Sequence, residues 1–159
     1  MIYKLNNMKN KAIIFFAAAC LLTVNLVWAL SNDSKDEGKV KWHSITEVEK
    51  LSKDDPRPIL VKVYTDWCGW CKKMDKDTFD DSTVADYINE NYYAVKLNAE
   101  STTPFKFKGE SLTPKAFAQK YGVRGFPTTI FFGKNFTSPN VIPGYQDAKK
   151  FQKTLESNK

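Results

Sequence analysis

Two cysteines three residues apart, Cys68 and Cys71, lie in the run YTDWCGWCKKM, Tyr64 to Met74, and a tryptophan precedes each of them. A Cys-x-x-Cys pair has three chemical uses: half of a metal clip, a structural staple, or a dithiol that cycles through a disulfide. The other donors in the chain help to separate these uses. There are three cysteines and one histidine; His43 is far upstream, and the third cysteine, Cys20, falls in an apolar N-terminal run. A four-ligand zinc site needs more Cys or His than that. A disulfide framework would use several bridges at longer spacing, and closing so short a loop takes little entropy from the unfolded chain. The pair therefore reads as chosen for reactivity, and no metal is expected.

The elements around the pair follow from periodicity. ILVKVYT, bounded by Pro58 and by the cysteine turn, is a short apolar run rich in β-branched residues, which suits a central strand covered on both faces. CKKMDKDTF is compatible with a helix whose first turn holds the motif. Upstream, VKW is a short strand candidate, and SITEVEKLS has Ser44 and Glu47 at capping-box spacing before a short helix. Downstream, STVADYINENY keeps the helical period with Ser82 as the N-cap candidate, and YYAVKLNA reads as a second inner strand. The stretch at 101–111 reads as a polar loop, a tolerated insertion carrying two phenylalanines. LTPKAFAQKYG has Thr113 as N-cap, Pro114 at the first helical position and Gly122 as the stop. TTIFFGKN is a strand, VIPGY an edge strand tolerating Pro143, and DAKKFQKTLESN a closing helix. The order β-α-β-α-β-α-β-β-α predicts an α/β fold, a mixed sheet between helices.

At 159 residues the chain fits one domain plus an appendage. Residues 1–11 carry three lysines and no acid, and Ala12 to Leu30 carry no charge. With Val27-Trp28-Ala29 as a cleavage sequence, residues 1–29 read as a signal peptide that sends the rest to the periplasm or outside the cell; an uncleaved membrane anchor over residues 12–30 is the alternative. Residues 30–39 are polar and acid-rich, a flexible tether, and 40–159 form the domain. Losing Lys4, Lys9 and Lys11 with the signal peptide lowers the formal charge from +6 to +3. The remaining cations interleave with acids, so no nucleic-acid partner is implied.

WCGWCK after an apolar strand resembles the active-site turn of the thioredoxin superfamily, and some fifty residues later KYGVRGFPTTIFF resembles its second signature. The resemblance covers about residues 40–157 and is strongest to exported bacterial thioredoxin-like proteins, among them the C-terminal domain of the DsbD electron-transfer protein. It implies a thioredoxin fold in which Pro127 is cis and faces the cysteines. Cys68, at a helix N-terminus, would be the nucleophile, its thiolate favoured by free N–H groups and the helix dipole; Cys71 would resolve the mixed disulfide. Gly69 and Trp70 would set the turn, while Trp67, Trp70, Phe126 and Pro127 would meet the client, the Phe126 backbone by strand-like pairing. Trp67 has a second reading as a packing residue, and Phe126 as apolar lining.

Lys62 departs from the family pattern, which places a buried acid six residues before the first cysteine. A buried lysine there would favour the thiolate or serve as a base, whereas one reaching solvent would only pack its stem. Asp66 and Lys72 read as solvated surface charges. The dithiol itself carries electrons, so no cofactor beyond the Cys68–Cys71 disulfide is implied. The expected function is thiol–disulfide exchange with protein thiols by a monomer fed from a membrane or periplasmic electron donor. A Gly-Trp dipeptide without histidine points to a reductase or relay. A disulfide oxidase or isomerase, or a non-catalytic client-binding module, are the competing readings.

Overall fold

The computed structural model describes residues 38–159. The signal peptide or anchor expected at 1–29, Cys20 within it, and most of the tether lie outside the described residues. Strands β1 (Trp42–His43), β2 (Ile59–Tyr64), β3 (Tyr93–Asn98), β6 (Thr128–Gly133) and β7 (Thr137–Pro143) form one sheet in the order β1-β3-β2-β6-β7. The pairs β1–β3 and β3–β2 are parallel, and β2–β6 and β6–β7 antiparallel. Helices α1 (Ile45–Asp54), α2 (Gly69–Met74), α3 (Ser82–Asn91), α4 (Pro114–Lys120) and α5 (Ala148–Ser157) pack around it. This is a thioredoxin fold.

The period of two in β2 distributes its side chains between two cores. Ile59, Val61 and Val63 join Ile45, Val48, Phe117, Ile130 and Phe132 on one face. Leu60 points the other way, among Met74, Phe79, Ile88, Phe131 and Phe151. Lys62 shares the parity of Leu60, so the same alternation puts its ammonium under the helix that carries Cys71.

Three local expectations change. The Ser82 cap is supplied by Asp81 instead, whose carboxylate accepts the Val84 N–H at 3.1 Å while Ser82 becomes the first helical residue. A carboxylate both reaches that N–H and complements the helix dipole. The helix after the motif ends its α-helical part at Met74 and continues as a π turn, Asp75–Phe79. The loop expected at 101–111 is largely a hairpin, β4 (Phe105–Phe107) against β5 (Glu110–Leu112), turned by Lys108 and Gly109 at φ 51° and 81°. Phe107 is buried against Phe117 and Phe136, at 5.2 and 5.0 Å between ring centroids, so the segment belongs to the core.

The other caps form as read. Ser44 accepts the Glu47 N–H, although the Glu47 carboxylate turns to His43 Nδ1 at 3.0 Å and completes only half a capping box. Thr113 accepts the Ala116 N–H ahead of Pro114, and Gly122 ends that segment at φ 71°.

Candidate active site

Strand β2 delivers the chain to the cysteine turn at the carboxyl end of the sheet. Cys68 and Cys71 are joined as a disulfide, with Cα atoms 5.2 Å apart. Cys68 is the N-cap of α2: its backbone is extended and its Sγ accepts the Cys71 N–H at 3.1 Å. Its carbonyl accepts from Cys71 and Lys72, and its own N–H donates to Thr65 O at 3.2 Å. A sulfur in this position faces the Cys71 N–H and the positive end of the helix dipole, and both favour a thiolate there. Both cysteines are buried, Cys68 at 4% and Cys71 at 1% exposure.

The two tryptophans stand out from the surface, Trp67 at 69% exposure and Trp70 at 60%. That placement removes Trp67 from the packing role. Its indole N–H donates to Glu100 Oε1 at 2.9 Å, and its ring meets Phe126 edge-on at 6.1 Å. The Trp67–Phe126 contact carries the proline loop up against the cysteine turn. The Phe126–Pro127 bond is cis, and Pro127 O accepts the Gly144 N–H at 2.8 Å. Trp70 leans on Tyr145 at 5.4 Å, and the Tyr145 hydroxyl donates to Asp77 Oδ2 at 3.1 Å. Gly69 is exposed, and a Cβ built there meets nothing within 4 Å. The turn therefore does not need glycine at 69 for want of space.

Lys62 does not reach solvent: its side chain is 0% exposed. The Nζ is ion-paired with Asp75 and lies 4.9 Å from the Phe79 ring centre. Asp75 also holds Lys96 at 3.2 Å, so one carboxylate serves two cations. Burial pulls the Lys62 pKa below the ordinary lysine range, and the hydrogen bond and charge of Asp75 only partly oppose it. Asp75 donates its backbone N–H to Cys71 O, four residues back along the helix. It is thus the partner of Lys62 that the motif alone did not reveal. Part of the signal was present: a lysine inside a covered strand requires a counterion, and Asp75 lies one turn past Cys71 on the helix expected to follow that strand.

Asp66 and Lys72 are exposed, with Asp66 taking a hydrogen bond from Asn98 Nδ2 at 2.9 Å. Among the described residues no group of three or more His, Cys, Asp or Glu side chains could hold a metal ion.

A family model described as a thioredoxin-like domain matches residues 46–159. The thiol:disulfide interchange protein DsbD of Haemophilus influenzae (strain PittEE) is 28% identical over 131 residues, 79% of this chain and 21% of that protein. DsbD of Actinobacillus pleuropneumoniae (serotype 5b, strain L20) is 31% identical over 147 residues, 86% of this chain and 23% of that protein. The chain thus spans about a fifth to a quarter of the length of these relatives. The C-terminal domain of Neisseria meningitidis DsbD in its oxidised form superposes with a TM-score of 0.56 at 22% identity, covering 72% of this chain and 91% of that one.

Proposed function

The chain belongs to the thioredoxin-like domain family, and from that premise we propose that it is a thiol–disulfide oxidoreductase acting on protein cysteines through Cys68 and Cys71. The observation that carries the reading is the Cys68–Cys71 disulfide at a helix N-terminus, with the Cys71 N–H on Cys68 Sγ, beside two exposed tryptophans. In the reducing direction both cysteines begin as thiols. The Cys68 thiolate attacks one sulfur of a client disulfide, forms a mixed disulfide and expels the first client thiolate. Cys71, having lost its proton, attacks Cys68 Sγ and expels the second client thiolate. Two electrons have then passed to the client, and the Cys68–Cys71 disulfide remains until a dithiol donor reduces it.

Trp67, Trp70 and Phe126 face the client, with Pro127, itself buried, presenting the Phe126 backbone from beneath and Gly69 set between the cysteines. Lys62 acts from below as a modulator of the thiol pKa values. The protein works as an exported monomer, periplasmic after cleavage near Ala29 or held by residues 12–30, with a membrane or periplasmic electron donor and without nucleic acid. N-terminal sequencing of the exported chain separates cleavage from anchoring.

The reduced chain should reduce a model peptide disulfide with dithiothreitol as electron source. Cys68→Ser should abolish turnover, and Cys71→Ser should accumulate a mixed disulfide on Cys68. Full activity of Cys68→Ala in its host would favour a client-binding module over an oxidoreductase. In cells, thiol trapping should find the pair largely reduced; a pair held oxidised that oxidises a reduced peptide would replace the reductase direction with an oxidase.

A further inference from the structure

A groove of about 620 Å³ opens beside the dithiol between the Trp67–Phe126 contact and helix α4. Its floor is laid by Thr65 and Ala99, residues at the carboxyl ends of β2 and β3. Thr65 holds the Cys68 N–H through its backbone oxygen, which ties the groove lining to the cysteine turn. The Thr65 hydroxyl is unusual: the residue is 2% exposed, yet Oγ1 has no hydrogen-bond partner. Buried hydroxyls are ordinarily paired. Oγ1 is itself sealed from solvent, so it offers an occupant of the groove no polar contact.

The charges along the groove have a direction. Glu100 stands at the tryptophan end, where the Trp67 indole N–H binds its carboxylate. Lys115 lies in the first turn of α4 and Arg124 four residues past its end, and both line the groove exposed. Neither is in an ion pair among the described residues, where the exposed Lys73 and Lys120 each find a carboxylate. Five helical residues, 116–120, lie between the two cations and rise about 8 Å before the loop that leads to Arg124. An occupant meeting both is therefore extended and not a compact ion.

We propose that this groove reads the residues flanking the reacting cysteine of a client, and that it selects extended acidic segments whose carboxylates meet Arg124 and Lys115. Small apolar side chains of the client rest on Ala99, Ala118 and Phe126. The inference rests on the oxidoreductase reading and adds the client class to it.

The test uses the full chain, dithiothreitol as electron source and three peptide disulfides that differ only in carrying Glu, Gln or Lys beside the cysteine. The expected order of kcat/KM is Glu, then Gln, then Lys, with about two- to fivefold for each exposed charge contact, and the spread narrows at high salt. The double variant Lys115→Glu/Arg124→Glu should reverse the order. Lys53→Glu, a charge reversal at a residue outside the groove, should leave the order as it is. Equal turnover of the three peptides, or an order that survives the double variant, overturns the client class while the oxidoreductase reading stands. No turnover of any peptide removes both.

Discussion

A lysine inside a strand covered on both faces is held at a cost, and at Lys62 the sign of that cost is defined. Desolvation outweighs the pull of Asp75, so the folded-state pKa lies below the unfolded one. Between those two values the unfolded chain binds more protons, and stability rises with pH; below the folded value the cost of the buried ammonium is fully present. Lys62→Met should therefore stabilise the protein at neutral pH by about 1 kcal/mol. The gain should shrink as pH climbs towards the ordinary lysine range. Asp75→Asn removes the compensating half of the pair and should cost about 3 kcal/mol, the low end for a broken buried pair, because the Asp75 side chain is 30% exposed and also serves Lys96. Denaturant midpoints at unchanged m-value measure both. The two variants should also move the thiols in opposite directions. Without the Lys62 cation, the pH midpoint for alkylation of reduced Cys68 should rise; without the Asp75 carboxylate it should fall. If neither variant moves the midpoint, Lys62 has a packing role and no part in tuning the thiols.

At the scale of elements, caps and turns decide what the sequence discloses. Asp81 and Ser82 are both good cap residues, and periodicity cannot choose between neighbours; the geometry gives the cap to Asp81. Asp81→Ala should cost about 1 kcal/mol, while Ser82→Ala should stay within about 0.5 kcal/mol of wild type. The hairpin β4–β5 escaped because each strand has three residues, too few for an alternation to register, and its turn is Lys-Gly instead of the commoner Asn-Gly. Burial of Phe107 makes the segment indispensable all the same: Phe107→Ala should lose about 3–5 kcal/mol by chemical denaturation. The long elements were legible for the opposite reason. Strand β2 is five-sixths buried and reads as a continuous apolar run, and α4 carries its start and stop signals in Thr113, Pro114 and Gly122. Within the cysteine turn, Gly69 has neither a positive φ nor a close neighbour. Gly69→Ala should stabilise by about 0.4–1 kcal/mol, and its effect on turnover then reports client contact separately from turn geometry.

For the whole molecule, the direction of electron flow is a property of the fold and not of the two sulfurs alone. The motif and the proline signature made the dithiol and its neighbours legible. The counterion Asp75, the Glu100 tether of Trp67 and the groove behind it were not, since each depends on which strand or helix lies beside which. Those same tertiary partners act unequally on the oxidised and reduced states, and a thermodynamic cycle makes the inequality measurable. If folding lowers the reduction potential of the pair below that of the same Cys68–Cys71 pair in the unfolded chain, the oxidised fold must be the more stable, by about 1.4 kcal/mol for each 30 mV. A reductase or relay requires that outcome, and an oxidant requires its reverse, a reduced fold stabilised by its thiolates. The short loop closed by the disulfide adds little entropic bias of its own. Paired unfolding curves of the oxidised and dithiothreitol-reduced chain should therefore place the oxidised form at the higher denaturant midpoint. The gap should widen in Lys62→Met, where a cation favouring the thiolate has been removed, and a reduced form more stable than the oxidised one would reverse the direction proposed for the electrons.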